Sequence, residues 1–156
     1  MLWVCRAGMK AIYLDYYLNN SRVYLPWDGF NTDLSMLKDM DAFRKLVLDE
    51  KGEAERTSVS NWAGQLYSFC RVMRTGDYVL IPHLGSRKYT LAQITGEYEY
   101  SQNNEKSLWH SRTIRIIKSG IDRNVFSQTV RYSLGAFRTL FKVKYERECL
   151  DAINNE

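Results

Sequence analysis

The chain has 156 residues, of which 45% are hydrophobic, and a formal net charge of +4. That length fits one domain spanning residues 1–156, able to bury about 68–70% of its unfolded surface without help from a disulfide or a metal. No apolar run approaches a membrane span and no secretory pattern is present, so membrane-spanning classes are set aside and a cytoplasmic protein is expected.

In chain order, Leu2–Arg6 reads as a strand with Trp3 and Cys5 on one face and Val4 and Arg6 on the other. Met9–Asn19 reads as a Tyr-rich helix, and Arg22–Leu25 as a second strand that Pro26-Trp27-Asp28-Gly29 turns away. Asp33, Asp39 and Asp41 offer caps for a helix from Ala42 to Asp49, with Phe43, Leu46 and Val47 on its apolar face. Glu50–Thr57 is charged and aperiodic, a solvated connector. The stretch from Ser58 to Tyr100 then carries the clearest pattern. Trp62, Leu66, Phe69 and Met73 recur at helical spacing, and Thr75-Gly76-Asp77 stops the helix. Tyr78–Pro82 is a short strand, His83–Lys88 a turn, and Tyr89–Tyr100 a long strand broken at Gly96 by a bulge. A polar loop follows and ends at Trp109. Ser111–Ile117 alternates as a half-buried strand, and Lys118-Ser119-Gly120 reads as a turn. Asp122 is a cap for a short helix reaching Thr129; Thr139–Lys144 is a last strand and Glu146–Ile153 a terminal helix. No dinucleotide-binding glycine fingerprint is present, and the strands outnumber those of a doubly wound fold. The expected class is α/β mixed (α+β): a curved sheet or partial β-barrel with flanking helices.

The segments LWVCRAG, PWDG, DLS, NWAGQL, GDYVLIP, ITGEYEY, HSR and YSLGAF, in that order along nearly the whole chain, carry a resemblance. The chain resembles the N-terminal specificity domain of Mrr-type, modification-dependent restriction endonucleases, within the PUA-like superfamily that includes EVE-type and YTH-type domains. The resemblance implies a PUA-like or EVE-like fold. It also implies a reader of a modified base in DNA, with RNA as an open second partner, that supplies specificity to a nuclease domain or other effector. The nuclease domain of those relatives is expected to be absent from this chain.

Reading one modified base requires taking it out of the stack and holding it between flat walls with a few polar groups at its edge. The parts available for such a base pocket are Trp27, Asn61, Trp62, Tyr98, Tyr100 and Trp109. Asn61 is placed there by the resemblance, since EVE-type relatives have a pocket Asn in the corresponding segment. The YTH-type aromatic cage has its nearest matches in Trp62 or Trp27 and in Trp109. Trp62 also begins the apolar helix stripe, which favours core over cage; Tyr98 and Tyr100 have sheet cover as their competing reading. Trp27 and Trp109 sit in loops, where a core seldom takes its bulk. Arg71, Arg74, Arg87 and Lys88 are candidates for nucleic-acid backbone contacts, their competing reading being a solvated face. His110 and Arg112 resemble the family's His-x-Arg segment and join that group by analogy.

Enzymatic readings find little. There is no phosphate-binding Gly-rich loop, no nucleophile elbow and no zinc-deaminase signature. Glu97 and Glu99 share one strand face with Lys106 beyond, a poor match to a metal-dependent nuclease. A Cys70–His83 nucleophile pair is conceivable, against a structural Cys70. Cys5, Cys70 and Cys149 form no CxxC pair, and with only His83 and His110 to help, no metal or other cofactor is expected. The expectation is therefore a non-catalytic binding module. Its alternatives are an ASCH-like RNA- or nucleoside-processing enzyme and an interaction module that binds no nucleotide.

Overall fold

The computed structural model describes residues 1–52, 56–104 and 106–156. Glu53–Glu55, the middle of the expected connector, therefore lie outside the described residues. Seven strands form one sheet: β1 (Leu2–Cys5), β2 (Arg22–Tyr24), β3 (Tyr78–His83), β4 (Lys88–Ile94), β5 (Glu99–Tyr100), β6 (His110–Asp122) and β7 (Leu140–Lys142). The order is β2-β6-β4-β3-β1-β7, with β5 also on β6. The β1–β3 pair is parallel and the others are antiparallel. The helices are α1 (Leu14–Asn20), α2 (Met40–Lys51), α3 (Arg56–Tyr67), α4 (Gln128–Ser133) and α5 (Glu146–Asn154). This is the mixed α/β class expected, a curled sheet with helices against it.

Strand alternation sorts the side chains into two cores. Trp3, Cys5, Val79, Ile81, Ala92, Ile94 and Ile114 face α2 and α3, where they meet Phe43, Val47, Leu66 and Phe69. Leu2, Val4, Leu80 and Leu91 face the other way, onto Val130, Cys149 and Ile153 of α4 and α5. The cysteines stay free, with Cys5 and Cys149 buried and Cys70 half-buried. Burial pushes the Cys5 and Cys149 thiols up to about 12, which leaves them unreactive.

Asp39 caps α2 through its side chain, which accepts from the Ala42 N–H, and Gly52 ends the helix at φ 69°. Four expectations change. Asp122 caps only a 3-10 turn, Arg123–Val125, and the helix that follows, α4, starts at Gln128 under a Ser127 cap and runs past Thr129. The N-terminal helix is split: a 3-10 turn at Met9–Ala11 holds Lys10 and Ala11 at positive φ, and α1 begins only at Leu14. The α3 helix passes at Ser68–Val72 into a π-helical segment. Most consequential for the site, Lys118-Ser119-Gly120 is no turn. The β6 strand runs on for 13 residues, with register shifts against β4 near Leu91 absorbing the irregularity. Alternation read over a short window could not see that β4 holds this segment in the ladder.

The break at Gly96 is present. Ile94 faces Ile114, whereas Glu99 faces Ser111, so two extra residues are accommodated between β4 and β5. Gly96 is required there because a Cβ would stand 2.3 Å from Thr113 Oγ1. Its carbonyl turns out of the ladder to accept from Arg112 Nε and Nη2 at 3.1 and 3.0 Å.

Candidate nucleic-acid interface

The β2 strand delivers its chain to the start of β6, where the Leu25 N–H donates to the His110 carbonyl at 3.1 Å. Pro26 and Gly29, the latter at φ 94°, then fold the Trp27 loop across that end of the sheet. The opposing loop is tied down by Asn104, whose side chain accepts from the Leu108 N–H at 2.8 Å and donates to the Leu108 carbonyl at 2.5 Å. The two loops thereby place Trp27 and Trp109 on the walls of one cavity of about 200 Å³, with Asp28 and Asn31 beside them. That is below the roughly 300–1,000 Å³ of drug-sized sites and suits a single flat heterocycle.

Behind the cavity lies a closed polar relay. His110, only 2% exposed, has Nε2 at 2.5 Å from the Phe30 carbonyl and Nδ1 at 2.6 Å from the Tyr98 hydroxyl. The Phe30 carbonyl can only accept, so the proton of the neutral imidazole sits on Nε2; Nδ1 then accepts from the Tyr98 hydroxyl, which itself accepts from the Leu34 N–H at 3.0 Å. Burial lowers the His110 pKa and keeps the ring neutral.

Of the six expected pocket residues, the structure brings Trp27 and Trp109 together. Trp62 stacks on Trp27 with ring centroids 5.3 Å apart and planes at 23°, while Lys51 Nζ lies 4.5 Å from its centroid. The two indoles are each other's partner and leave no gap for a base between them. Tyr98 is committed to the relay and to an edge contact with Phe69. Tyr100 packs on His110 at 5.1 Å and its hydroxyl accepts from Gln102. Asn61 faces a different and larger cleft.

Two backbone-contact expectations are corrected. Arg112 is 3% exposed, and its guanidinium donates to the Phe69, Met73 and Gly96 carbonyls. It serves the carbonyls of the π-helical segment and the bulge, so no phosphate can reach it. His110 is likewise enclosed and neutral. Arg71, although exposed, donates to the Ser35 and Leu37 carbonyls. Arg74 is exposed at the Gly76 turn. Arg87 and Lys88 lie on the β3–β4 hairpin, where Lys88 pairs with Asp122. That is the far end of β6 from His110, about 40 Å of strand contour away, so they do not rim the Trp27 cavity.

The larger cleft, about 1,580 Å³, opens between α3, the β7 edge and α4. It is tied to the Trp27 loop: Trp27 Nε1 donates to Thr139 Oγ1 at 3.2 Å, and Gln65 Oε1 accepts from the Thr139 and Leu140 N–H groups. Its exposed aromatics, Tyr132 and Phe137, were not among the residues singled out from sequence. The signal was there, because Phe137 stands in the Gly-Ala-Phe turn as Trp27 stands beside Pro and Gly.

The family described as "Domain of unknown function (DUF8426)" matches residues 4–143. The chain belongs to that family. No curated protein matches it. Among similar solved structures is the YTH domain of a Zygosaccharomyces rouxii protein in complex with N6-methyladenosine RNA, at 10% identity and TM-score 0.43, covering 81% of this chain. The chain spans 64% of that structure's length. A protein of Agrobacterium tumefaciens matches at 14% identity and TM-score 0.45, covering 99% of this chain and 91% of its own. A protein of Rhodopseudomonas palustris matches at 13% identity and TM-score 0.41, covering 97% and 90%.

Within this family member, no group of three His, Cys, Asp or Glu side chains is placed to hold a metal among the described residues. Glu99 is held by Arg22 in an ion pair at 2.7 Å. The thiol–imidazole pair does not assemble either: His83 Nε2 lies 2.7 Å from Thr90 Oγ1 on the β3–β4 ladder. Cys70 is at the π-helical segment with its thiol pKa raised by burial. Among the described residues no helix is long and apolar enough to cross a membrane.

Proposed function

We propose that this chain is a reader of a modified base in nucleic acid, taking one extruded base into the cavity between the Trp27 and Trp109 loops. The observation that carries the reading is that two loop tryptophans, remote in sequence, line one cavity sized for a single ring system. Indole faces supply sequence-tolerant stacking, and Asp28 and Asn31 supply a carboxylate and an amide to read a base edge. The Tyr98–His110–Phe30 relay sets the floor rigidly, which favours discrimination over adaptability. The resemblance to Mrr-type specificity domains supports DNA as the polymer and a restriction nuclease as the effector it directs. In this reading the chain binds and does not cut.

The test is a binding panel of short duplexes carrying different modified cytosines and adenines beside unmodified DNA, with matched RNA. One modified base should bind preferentially, and Trp109→Ala should abolish most of that preference, a stacking loss of about 1–3 kcal/mol. Equal affinity for every modified and unmodified member would reject the reading. Trp109 is the cleaner probe, because Trp27 also holds Trp62 and Thr139.

A further inference from the structure

The large cleft carries more than the base reading uses. Arg123, Arg131, Arg138, Lys142 and Lys144 line it, and among its described lining residues none is acidic. A cleft lined by one sign of charge concentrates a partner of the other sign. On the α4 wall the Arg131 Nε is buried and has no hydrogen-bond partner among the described residues. A buried donor left unpaired is costly, which sets Arg131 apart from the solvated cations of the same wall. At the rim, Tyr132 is 90% and Phe137 105% exposed. Neither ring contributes to the fold's core, and isolated aromatics held outward on a cationic surface match the layout of a single-strand site, where bases stack on rings and phosphates meet cations. A duplex keeps its bases stacked on one another and offers those rings no face.

We propose that the cleft between α3, β7 and α4 binds a single-stranded stretch of nucleic acid, with Phe137 and Tyr132 stacking on bases and Lys142 and Lys144 on phosphates. The inference rests on the reading above only for the class of ligand; its residues lie outside the Trp27–Trp109 cavity. The Trp27–Thr139–Gln65 hydrogen bonds join the two, so a strand in the cleft would lead toward the cavity.

Fluorescence anisotropy with labelled dT and rU oligonucleotides of about twelve nucleotides, a usual single-strand site size, tests this directly, comparing DNA with RNA. The intact chain should bind such a strand more tightly than a duplex of equal length. Phe137→Ala and Tyr132→Ala should each weaken binding roughly 5–150-fold, the measured range for loss of one stacking platform. Replacing Lys142 and Lys144 with Ala should flatten the salt dependence by about 1.4 in the logarithmic slope, as two lost phosphate contacts on a single strand require. Heparin serves as a polyanion without bases. If the strand binds no better than heparin and both aromatic variants bind like wild type, or if nothing binds, the proposal is overturned. The Trp109→Ala variant separates the two readings. Lost base preference with intact strand binding leaves the cleft standing, and intact preference with no effect at Phe137 removes the cleft but not the pocket.

Discussion

Two aromatic clusters at neighbouring places in this molecule are built in opposite senses. Trp27, Trp62 and Phe30 turn toward one another under the Lys51 ammonium, whereas Tyr132 and Phe137 turn out to solvent above a cationic cleft. The first cluster spends most of its ring surface on itself and on the fold. The second spends almost none. Ring content alone therefore says nothing about ligand; the free face does. Within the Trp27–Trp109 cavity, Trp109 and the outer part of Trp27 keep a face open, as Phe137 does in the larger cleft.

The difference is measurable as stability against binding. The largest effect is expected on the closed side. Arg112→Met leaves the Phe69, Met73 and Gly96 carbonyls without their donor, at about 1–3 kcal/mol for each buried group left unpaired. Unfolding in denaturant should show a loss of about 3 kcal/mol or more, and a change within experimental error would mean that these carbonyls find other partners. Trp62→Ala comes next. Losing a half-buried indole and its stacked pair should cost about 2–3 kcal/mol, less than the 3–5 of a fully buried Trp, with a lower melting temperature as the readout.

The His110 relay adds a pH dependence of about 1.4 kcal/mol per pH unit at most. Its folded pKa is depressed by burial, so the unfolded chain takes up the proton first as pH falls below about 6.5. The contribution is thus full above that pH and is lost progressively beneath it. Burial lowers His83 as well, so the comparison is between wild type and His110→Asn: the variant should show the shallower acid slope, and parallel slopes would place the dependence elsewhere. The smallest stability effect belongs to the open side. Phe137→Ala should fall within about 0.5 kcal/mol of wild type, since the ring touches solvent alone. A substantial loss there would show that the ring packs in solution, which would erase the contrast.

Much of this architecture was legible in the chain. The Leu2–Arg6 alternation predicts the two faces of β1 and Gly96 marks a bulge, because local periodicity and glycine chemistry act within a few residues; of the Trp62-Leu66-Phe69-Met73 stripe, Leu66, Phe69 and Met73 are buried and Trp62 half-buried, and the helical run ends at Val72, ahead of the expected Gly76 stop. Trp27 and Trp109 were legible as loop aromatics. What lay beyond the sequence was who faces whom. His110 and Arg112 look like surface cations from composition, yet pairing of β6 with β2 and β5 turns them inward, where carbonyls of remote segments claim them. Arg87 and Lys88 look like a rim, yet the full length of β6 separates them from the cavity. Lys142, Lys144 and Arg138 look unremarkable, yet the β1–β7 pairing sets them opposite α3 and makes one cationic wall. The physical reason is the same in each case. Burial of a polar group depends on partners supplied by distant chain segments, and charge density on a surface depends on which strands are neighbours. Periodicity within one element carries neither.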